Sequence, residues 1–146
     1  VLAYDRYGYR KLTDELDSIG LKLNEVEHPQ GGRKRAKATD AQIAEAKDKG
    51  KEPPLGLWMP GSIKEFESLI FEKRIRIRRN PVIVSAIMSA ALERDPLFDN
   101  YWFSKRKATN RIDPVVALAM AIGAATANVA PLTGPSIYET RGFAEI

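Results

Sequence analysis

The chain has no cysteine, which excludes a disulfide scaffold, a thiolate zinc site and a cysteine nucleophile. It has one histidine, His28, and this argues against a serine–histidine catalytic pair or a multi-histidine metal site. We expect His28 to lie in a solvated turn before Pro29. No apolar run reaches the roughly 20 residues that span a bilayer, and no signal peptide is recognisable. We therefore expect a cytoplasmic protein that makes no contact with a membrane.

The basic residues are clustered, although the net charge is only +4. With 146 residues, 44% of them hydrophobic, the chain can form one domain with a proper core. More than half of its 23 lysines and arginines lie in three clusters: Arg33, Lys34, Arg35 and Lys37; Lys73, Arg74, Arg76, Arg78 and Arg79; and Lys105, Arg106, Lys107 and Arg111. One cluster alone is most simply a solvated face, but three in so small a domain predict a phosphate-bearing partner such as nucleic acid.

The hydrophobic pattern predicts an α/β fold in which strands and helices alternate. Residues 1–4 form a short apolar strand, residues 9–19 a helix that stops at Gly20, and residues 21–26 a second strand. A strand, helix and strand of these lengths form a crossover unit, which implies parallel strands and a right-handed connection. Arginines alternate with isoleucines over residues 74–78 and predict a strand with one basic and one apolar face.

The remaining elements follow from turn residues and helical spacing. Residues 29–54 form a polar excursion, which we interpret as an insertion at about 31–56 that is mobile without a ligand. Further predicted elements are a surface helix at 40–49, a helix at 62–71 capped by Ser62, a helix at 80–92, an aromatic turn or strand at 95–104 and a helix at 114–127. The last is apolar on nearly every face, so we expect it to be deeply buried.

Two carboxylates occupy matching positions, since Asp5 ends the first strand and Asp113 precedes the apolar helix. Asp113 is a favoured helix cap and Pro114 a favoured first helical residue, so one interpretation of the pair is a turn and a cap. The other is a ligand set for Mg²⁺ or Mn²⁺, which prefer carboxylate oxygens. In that case both carboxylates should face one cleft and hold two ions about 3.5–4 Å apart.

Short motifs give the chain a specific resemblance. It resembles the nuclease half of the large terminase subunit of tailed phages, in the family's order and over nearly the whole chain. The motifs are Tyr4-Asp5-Arg6 after an apolar strand, Gln30-Gly31 after the second strand, Asn80-Pro81-Val82, Arg111-Ile112-Asp113 before an alanine-rich helix, Ser136-Ile137-Tyr138-Glu139 and Arg141-Gly142-Phe143.

The resemblance implies a ribonuclease-H-like fold, a mixed sheet flanked by helices, and cleavage of concatemeric viral DNA with two divalent ions, Mg²⁺ or Mn²⁺. ATP is used only by a separate motor domain, whose motifs this chain lacks. The partners it implies are double-stranded DNA, the remainder of the large terminase chain, the portal and the small terminase subunit, with a homo-oligomer in the packaging motor. The place of action is the cytoplasm of the host cell.

Site residues carry over where the motifs match. Asp5 corresponds to the family's second catalytic and metal-binding aspartate and Asp113 to the third. The first belongs to a strand expected upstream of Val1, so we expect residues 1–128 to be a partial nuclease domain that lacks its first strands, followed by a tail at 129–146. We expect this chain alone to cleave DNA poorly or not at all. Position 114 is proline where the family usually has glycine, which a first helical turn tolerates.

Six cations are predicted to contact DNA: Lys105, Lys107 and Arg111 beside the third aspartate, and Arg33, Lys34 and Arg35 in the insertion. Two other functions remain open. One is a catalytically incomplete DNA-binding or motor-assembly module, which would bind DNA without Mn²⁺-dependent nicking. The other is a different ribonuclease-H-like nuclease such as a junction resolvase, which would prefer branched DNA.

Overall fold

A computed structural model describes residues 1–7, 9–38, 40–52 and 56–127; the predicted tail at 129–146 lies outside them. Their elements, in chain order, are β1 (Leu2–Tyr4), α1 (Tyr9–Ser18), β2 (Glu25–Glu27), α2 (Asp40–Asp48), α3 (Met59–Phe71), α4 (Pro81–Ser89), β3 (Leu92–Arg94), β4 (Tyr101–Phe103) and α5 (Asp113–Thr126). The fold is therefore mixed α/β, as predicted. None of the helices in the described part of the chain is long and apolar enough to cross a membrane.

The predicted parallel strand–helix–strand unit is present, but its second strand, predicted at residues 21–26, begins only at Glu25. β1 and β2 pair in parallel with Tyr4 opposite Glu27, and the His28 N–H extends the ladder by donating to the Tyr4 carbonyl at 2.7 Å. α1 connects the two strands and is followed by Gly20 at φ +70°, a conformation that suits glycine. The carboxyl ends of both strands consequently lie side by side, which brings the residues that follow them together.

The core is formed by α3 and α5, with one face of α4 and the β3–β4 hairpin against them. Its buried apolar residues include Met59, Ile63, Phe66, Ala86, Ile112, Val115, Val116, Ala119, Met120 and Ile122. The prediction that the apolar helix, which is α5, is deeply buried is only partly right. Ala117, Ala121 and Ala125 form an exposed stripe along α5. Exposing so small a side chain costs little, because little apolar area is left in water.

The strand predicted at residues 74–78 is absent, and this prediction is wrong. Residues 74–80 have no regular secondary structure. α3 ends just before them, where Lys73 takes a positive φ of 56° and the Arg74 N–H bonds to the Leu69 carbonyl. Alternation makes a strand only where a neighbouring strand can pair with it, and the described sheets are β1–β2 and β3–β4 alone. The α4 prediction holds at its start, where the Asn80 side chain accepts the Val82 N–H at 2.8 Å.

The predictions for His28 and Ser62 are also wrong. α3 begins at Met59, so Ser62 lies one turn inside the helix rather than at its cap. His28 is fully buried, and its Nε2 lies 2.7 Å from Ser62 Oγ. Its Nδ1 faces the Pro29 carbonyl at 3.2 Å, an acceptor, so Nδ1 carries the proton and Nε2 accepts the serine hydroxyl. This bond stabilises the end of β2 against α3.

The first part of the predicted insertion packs on the domain, and its mobility without a ligand stays a prediction. Gly32 and Ala36 are buried, and the Ala36 N–H donates to the Leu57 carbonyl at 2.8 Å. We call residues 32–37 the basic arm. The surface helix predicted at 40–49 is confirmed as α2.

The contact of the arm with the hairpin gives a stability prediction at adjacent glycines. A Cβ on Gly32 would overlap the Trp102 ring, whereas a Cβ on Gly31 would meet nothing within 4 Å. We expect Gly32→Ala to lower the free energy of unfolding by about 1–3 kcal/mol through overpacking. Gly31→Ala should change it by less than about 0.5 kcal/mol. Urea unfolding of both variants measures the difference, and equal stabilities would contradict this placement of the arm.

Candidate active site

Asp113 is not the cap of α5. It is the first residue of the helix, and the cap position is Ile112, which has no side-chain capping bond. The Asp113 carboxylate instead accepts a hydrogen bond from Lys105 Nζ at 2.6 Å. Both side chains are more than half exposed. The cap interpretation of Asp113 is therefore wrong, and its carboxylate is turned toward residues 105–111, which we call the basic loop.

The charge of Asp113 is set by the same loop. The hydrogen bond from Lys105 and the positive charge of that ammonium hold the pKa of Asp113 below its usual range, and Arg111 adds to the effect. Burial opposes it weakly. The carboxylate is consequently ionised at neutral pH, which is the form that binds a metal ion.

Asp113 lies at a pocket of about 540 Å³ between the first turns of α4 and α5. The other lining residues are Pro81, Val82, Ser85, Asn110, Arg111 and Pro114. Two helix N-termini at one pocket direct positive ends of helix dipoles toward it, and Arg111 adds a full charge. The pocket thus combines one anionic side chain, that of Asp113, with surroundings that favour a second anion, such as a phosphate.

Asp5 lies in a different pocket, of about 480 Å³, at the carboxyl ends of β1 and β2. The residues that line it with Asp5 are Arg6, Glu27, Pro29, Lys34, Arg35 and Lys37. The Asp5 carboxylate accepts the Tyr7 N–H at 3.3 Å, and no ion pair within 4 Å involves it among the described residues. It is therefore a carboxylate surrounded by cations but not neutralised by direct contact with one.

Sequence reasoning missed Glu27 as a member of this pocket. Glu27 is the last residue of β2, opposite Tyr4, and forms an ion pair with Arg6 at 2.7 Å. The alternation of Glu25, Val26 and Glu27 was a usable signal, because it leaves a carboxylate at the end of a strand beside the strand of Asp5.

Asp5 and Asp113 do not line a common pocket. His28, whose N–H bonds to the Tyr4 carbonyl, also lies against Gly123, and Gly123 is about 15 Å of helical rise from Asp113. No group of three or more histidine, aspartate or glutamate side chains is arranged to hold a metal ion in the described ranges. That both carboxylates face one cleft and share a metal cluster stays a prediction, and their separate pockets do not support it.

The donors still fit a hard divalent cation. Both are carboxylates, and Mg²⁺ is usually bound by one or two carboxylates together with substrate phosphates and water. The described residues supply carboxylates for a metal ion and cations for phosphate. They do not form a complete set of metal ligands without substrate.

The predicted DNA contacts divide between the two pockets. Lys105 pairs with Asp113 and Arg111 lines its pocket, whereas Lys107 is exposed in the same loop. In the arm, Lys34 and Arg35 line the pocket of Asp5, but Arg33 lines neither and pairs with Asp95 at 3.2 Å. Lys34 and Arg35 thus lie at the pocket of Asp5, and Lys105 and Arg111 lie beside Asp113.

Comparison with known proteins adds independent information. Residues 57–128 match the sequence model of the endonuclease domain of the terminase large subunit. The large terminase subunit of Enterobacteria phage HK97 is 30% identical over 128 residues, which are 88% of this chain and 20% of that protein. The crystal structure of the HK97 large terminase matches with a TM-score of 0.61, covering 84% of this chain and 20% of that one. The chain spans about a fifth of the length of the curated relative it matches.

Proposed function

Because the chain belongs to the terminase large-subunit endonuclease family, we propose that it is a metal-dependent DNA endonuclease that cuts concatemeric viral DNA during genome packaging. The position of Asp113 supports this proposal most strongly. Its carboxylate is ionised, does not cap α5 and lies at a pocket whose surroundings favour phosphate. The proposal includes a ribonuclease-H-like fold, for which the parallel β1–α1–β2 unit is partial support. Its partners are double-stranded DNA, the rest of a large terminase chain, a portal and a small terminase subunit.

Asp5 and Asp113 would hold Mg²⁺ or Mn²⁺ in this reaction. When bound, such ions activate a water molecule and stabilise the leaving oxygen of a phosphodiester. The carboxylate of Asp113 becomes available when the Lys105 ammonium, which lies 2.6 Å from it, turns away. Since the described residues form no three-ligand cluster, phosphate oxygens and water would complete the coordination. We therefore expect tight metal binding only in the presence of DNA.

The basic loop has two roles in this scheme. Without substrate, the positive charge of Lys105 balances the negative charge of Asp113 and favours the ionised form of that carboxylate. With substrate, Lys105 and Arg111 are close enough to the pocket of Asp113 to bind phosphates, and such contacts position DNA without reading its sequence.

This role of the loop predicts a salt dependence. Replacing Lys105, Lys107 and Arg111 together with alanine should flatten the log–log slope of DNA affinity against salt by about two to three units, since each phosphate contact adds about 0.9. Fluorescence anisotropy with a labelled duplex measures this slope. Alanine at Lys11, Lys22 and Lys64, which are exposed outside the three clusters, is the matched control. If both triple variants give the wild-type slope, the loop is only a solvated surface.

A DNA-binding or motor-assembly module without cleavage is the second candidate. The separate pockets of Asp5 and Asp113 favour it, because two-metal chemistry needs both carboxylates at one place. Plasmid binding without Mn²⁺-dependent nicking by the full-length gene product would support the module over the nuclease.

A further inference from the structure

The basic arm is attached to the β3–β4 hairpin at its first end. Gly32 is buried against Trp102, where a Cβ would lie 2.6 Å from one ring carbon and still closer to others. The next residue, Arg33, directs its Nε to the Asp95 carboxylate at 3.2 Å. That carboxylate is only 2% exposed and also accepts the Leu97 N–H at 2.9 Å. The charge of Arg33 is thus used to satisfy a buried acid.

The second end of the arm is attached to the segment before α3. The Ala36 N–H bonds to the Leu57 carbonyl, and Gly56 approaches Ala36 so closely that a Cβ would overlap its carbonyl. Between these points the Arg35 guanidinium lies 3.8 Å from the centre of the Trp58 ring, a cation–π contact. Arg35 therefore also contacts the domain, although its side chain borders the pocket of Asp5.

The two lysines of the arm are in a different situation. Lys34 and Lys37 are exposed and line the pocket of Asp5, and neither takes part in an ion pair within 4 Å in the part of the chain that the structure describes. Of the other charges there, Arg6 and Glu27 neutralise each other. Two lysines and Arg35 face one free carboxylate, so the pocket carries excess positive charge.

We propose that the basic arm is a phosphate-binding element in which Arg33 and Arg35 fix the backbone to the domain while Lys34 and Lys37 bind a DNA backbone phosphate beside Asp5. This rests on the proposed function for the identity of the polyanion. It divides the first basic cluster by role, so that adjacent residues of equal charge differ in what they do. It also places a second phosphate contact apart from the one at Asp113, so that one duplex would contact both pockets.

The division is tested with two adjacent single variants and one double variant, in EDTA so that no cleavage takes place. Lys34→Ala should flatten the salt slope of duplex binding by about 0.9 and Lys34→Ala/Lys37→Ala by about two, both with an unchanged Tm. Arg33→Ala should change the slope by less than about 0.3, which is a third of the effect of one phosphate contact. It should lower Tm, because Asp95 loses its partner.

Three outcomes would overturn the proposal: wild-type chain that does not bind the duplex, lysine variants with the wild-type slope, or an Arg33→Ala variant that loses as much slope as Lys34→Ala at unchanged Tm. These outcomes are separate from failure of the nuclease proposal. Binding with the expected slopes by a full-length gene product that never cuts DNA would contradict the nuclease alone. Cleavage that depends on Asp113, together with unaffected Lys34→Ala/Lys37→Ala binding, would contradict the arm alone.

Discussion

Replacing Asp113 with asparagine is expected to slow DNA cleavage by at least about a hundredfold, the usual scale for removing one group that stabilises charge in a transition state. Asparagine has the same size but no negative charge, so it cannot pair with Lys105 or hold a divalent cation as the ionised carboxylate does. The rate of nicking of supercoiled plasmid in Mn²⁺ by the full-length gene product measures the effect.

DNA binding should survive the same substitution. Because Lys105 is released from its partner, duplex affinity should stay equal or rise slightly. Asp14→Asn is the matched control, since it makes the same chemical change at an exposed position of α1 and should cut at the wild-type rate. An Asp113→Asn variant that cuts as fast as the wild-type nuclease would refute the role assigned to this carboxylate.

The second large effect is expected at Gly123, in the last turn of α5. Glycine to alanine in a helix interior normally stabilises by up to about 1 kcal/mol. Here a Cβ would overlap Ser62 Oγ, lie 2.8 Å from the Ser62 Cβ and come 3.2 Å from His28 Nε2. Moving Ser62 breaks its bond to His28 and leaves buried polar groups unsatisfied, at about 1–3 kcal/mol each. The destabilisation caused by displacing Ser62 should therefore exceed the stabilisation from the higher helix propensity of alanine.

We expect Gly123→Ala to lower the free energy of unfolding by about 3 kcal/mol in sum and Tm by roughly 10 °C. Differential scanning calorimetry measures both values. The control is Gly31→Ala, which adds the same methyl group in open space. If Gly123→Ala has the same Tm as the wild-type protein, α5 does not pack against His28 and Ser62 as described.

The parts of the fold that the sequence predicted well are those determined locally. β1, α1 and β2 follow from apolar spacing and from Gly20, and the start of α4 follows from the capping preference of Asn80. The strand at residues 74–78 failed because alternation describes one strand and cannot supply the neighbour with which it would pair. His28 failed for a similar reason, because its burial depends on Ser62 and Gly123, which are distant in sequence.

The candidate site shows the same limit. The positions of Asp5 and Asp113, at a strand end and at a helix start, could be read from the pattern. The charge pairs could not, because nothing local indicates that Arg33 pairs with Asp95 while its neighbour Lys34 faces Asp5. Clustering of cations predicts a partner surface, but tertiary contacts decide which members are available to the partner.

Metal ligation by Asp113 is tested most directly by the amount of Mn²⁺ that the protein binds in the presence of a short DNA duplex. Electron paramagnetic resonance measures this amount, and the Mn²⁺ bound by the duplex alone is subtracted. This tests metal ligation whether or not the chain cuts. We expect protein-dependent Mn²⁺ binding that requires DNA, is lost in Asp113→Asn and is retained in Asp14→Asn. Equal Mn²⁺ binding by the wild-type chain and Asp113→Asn would contradict this expectation.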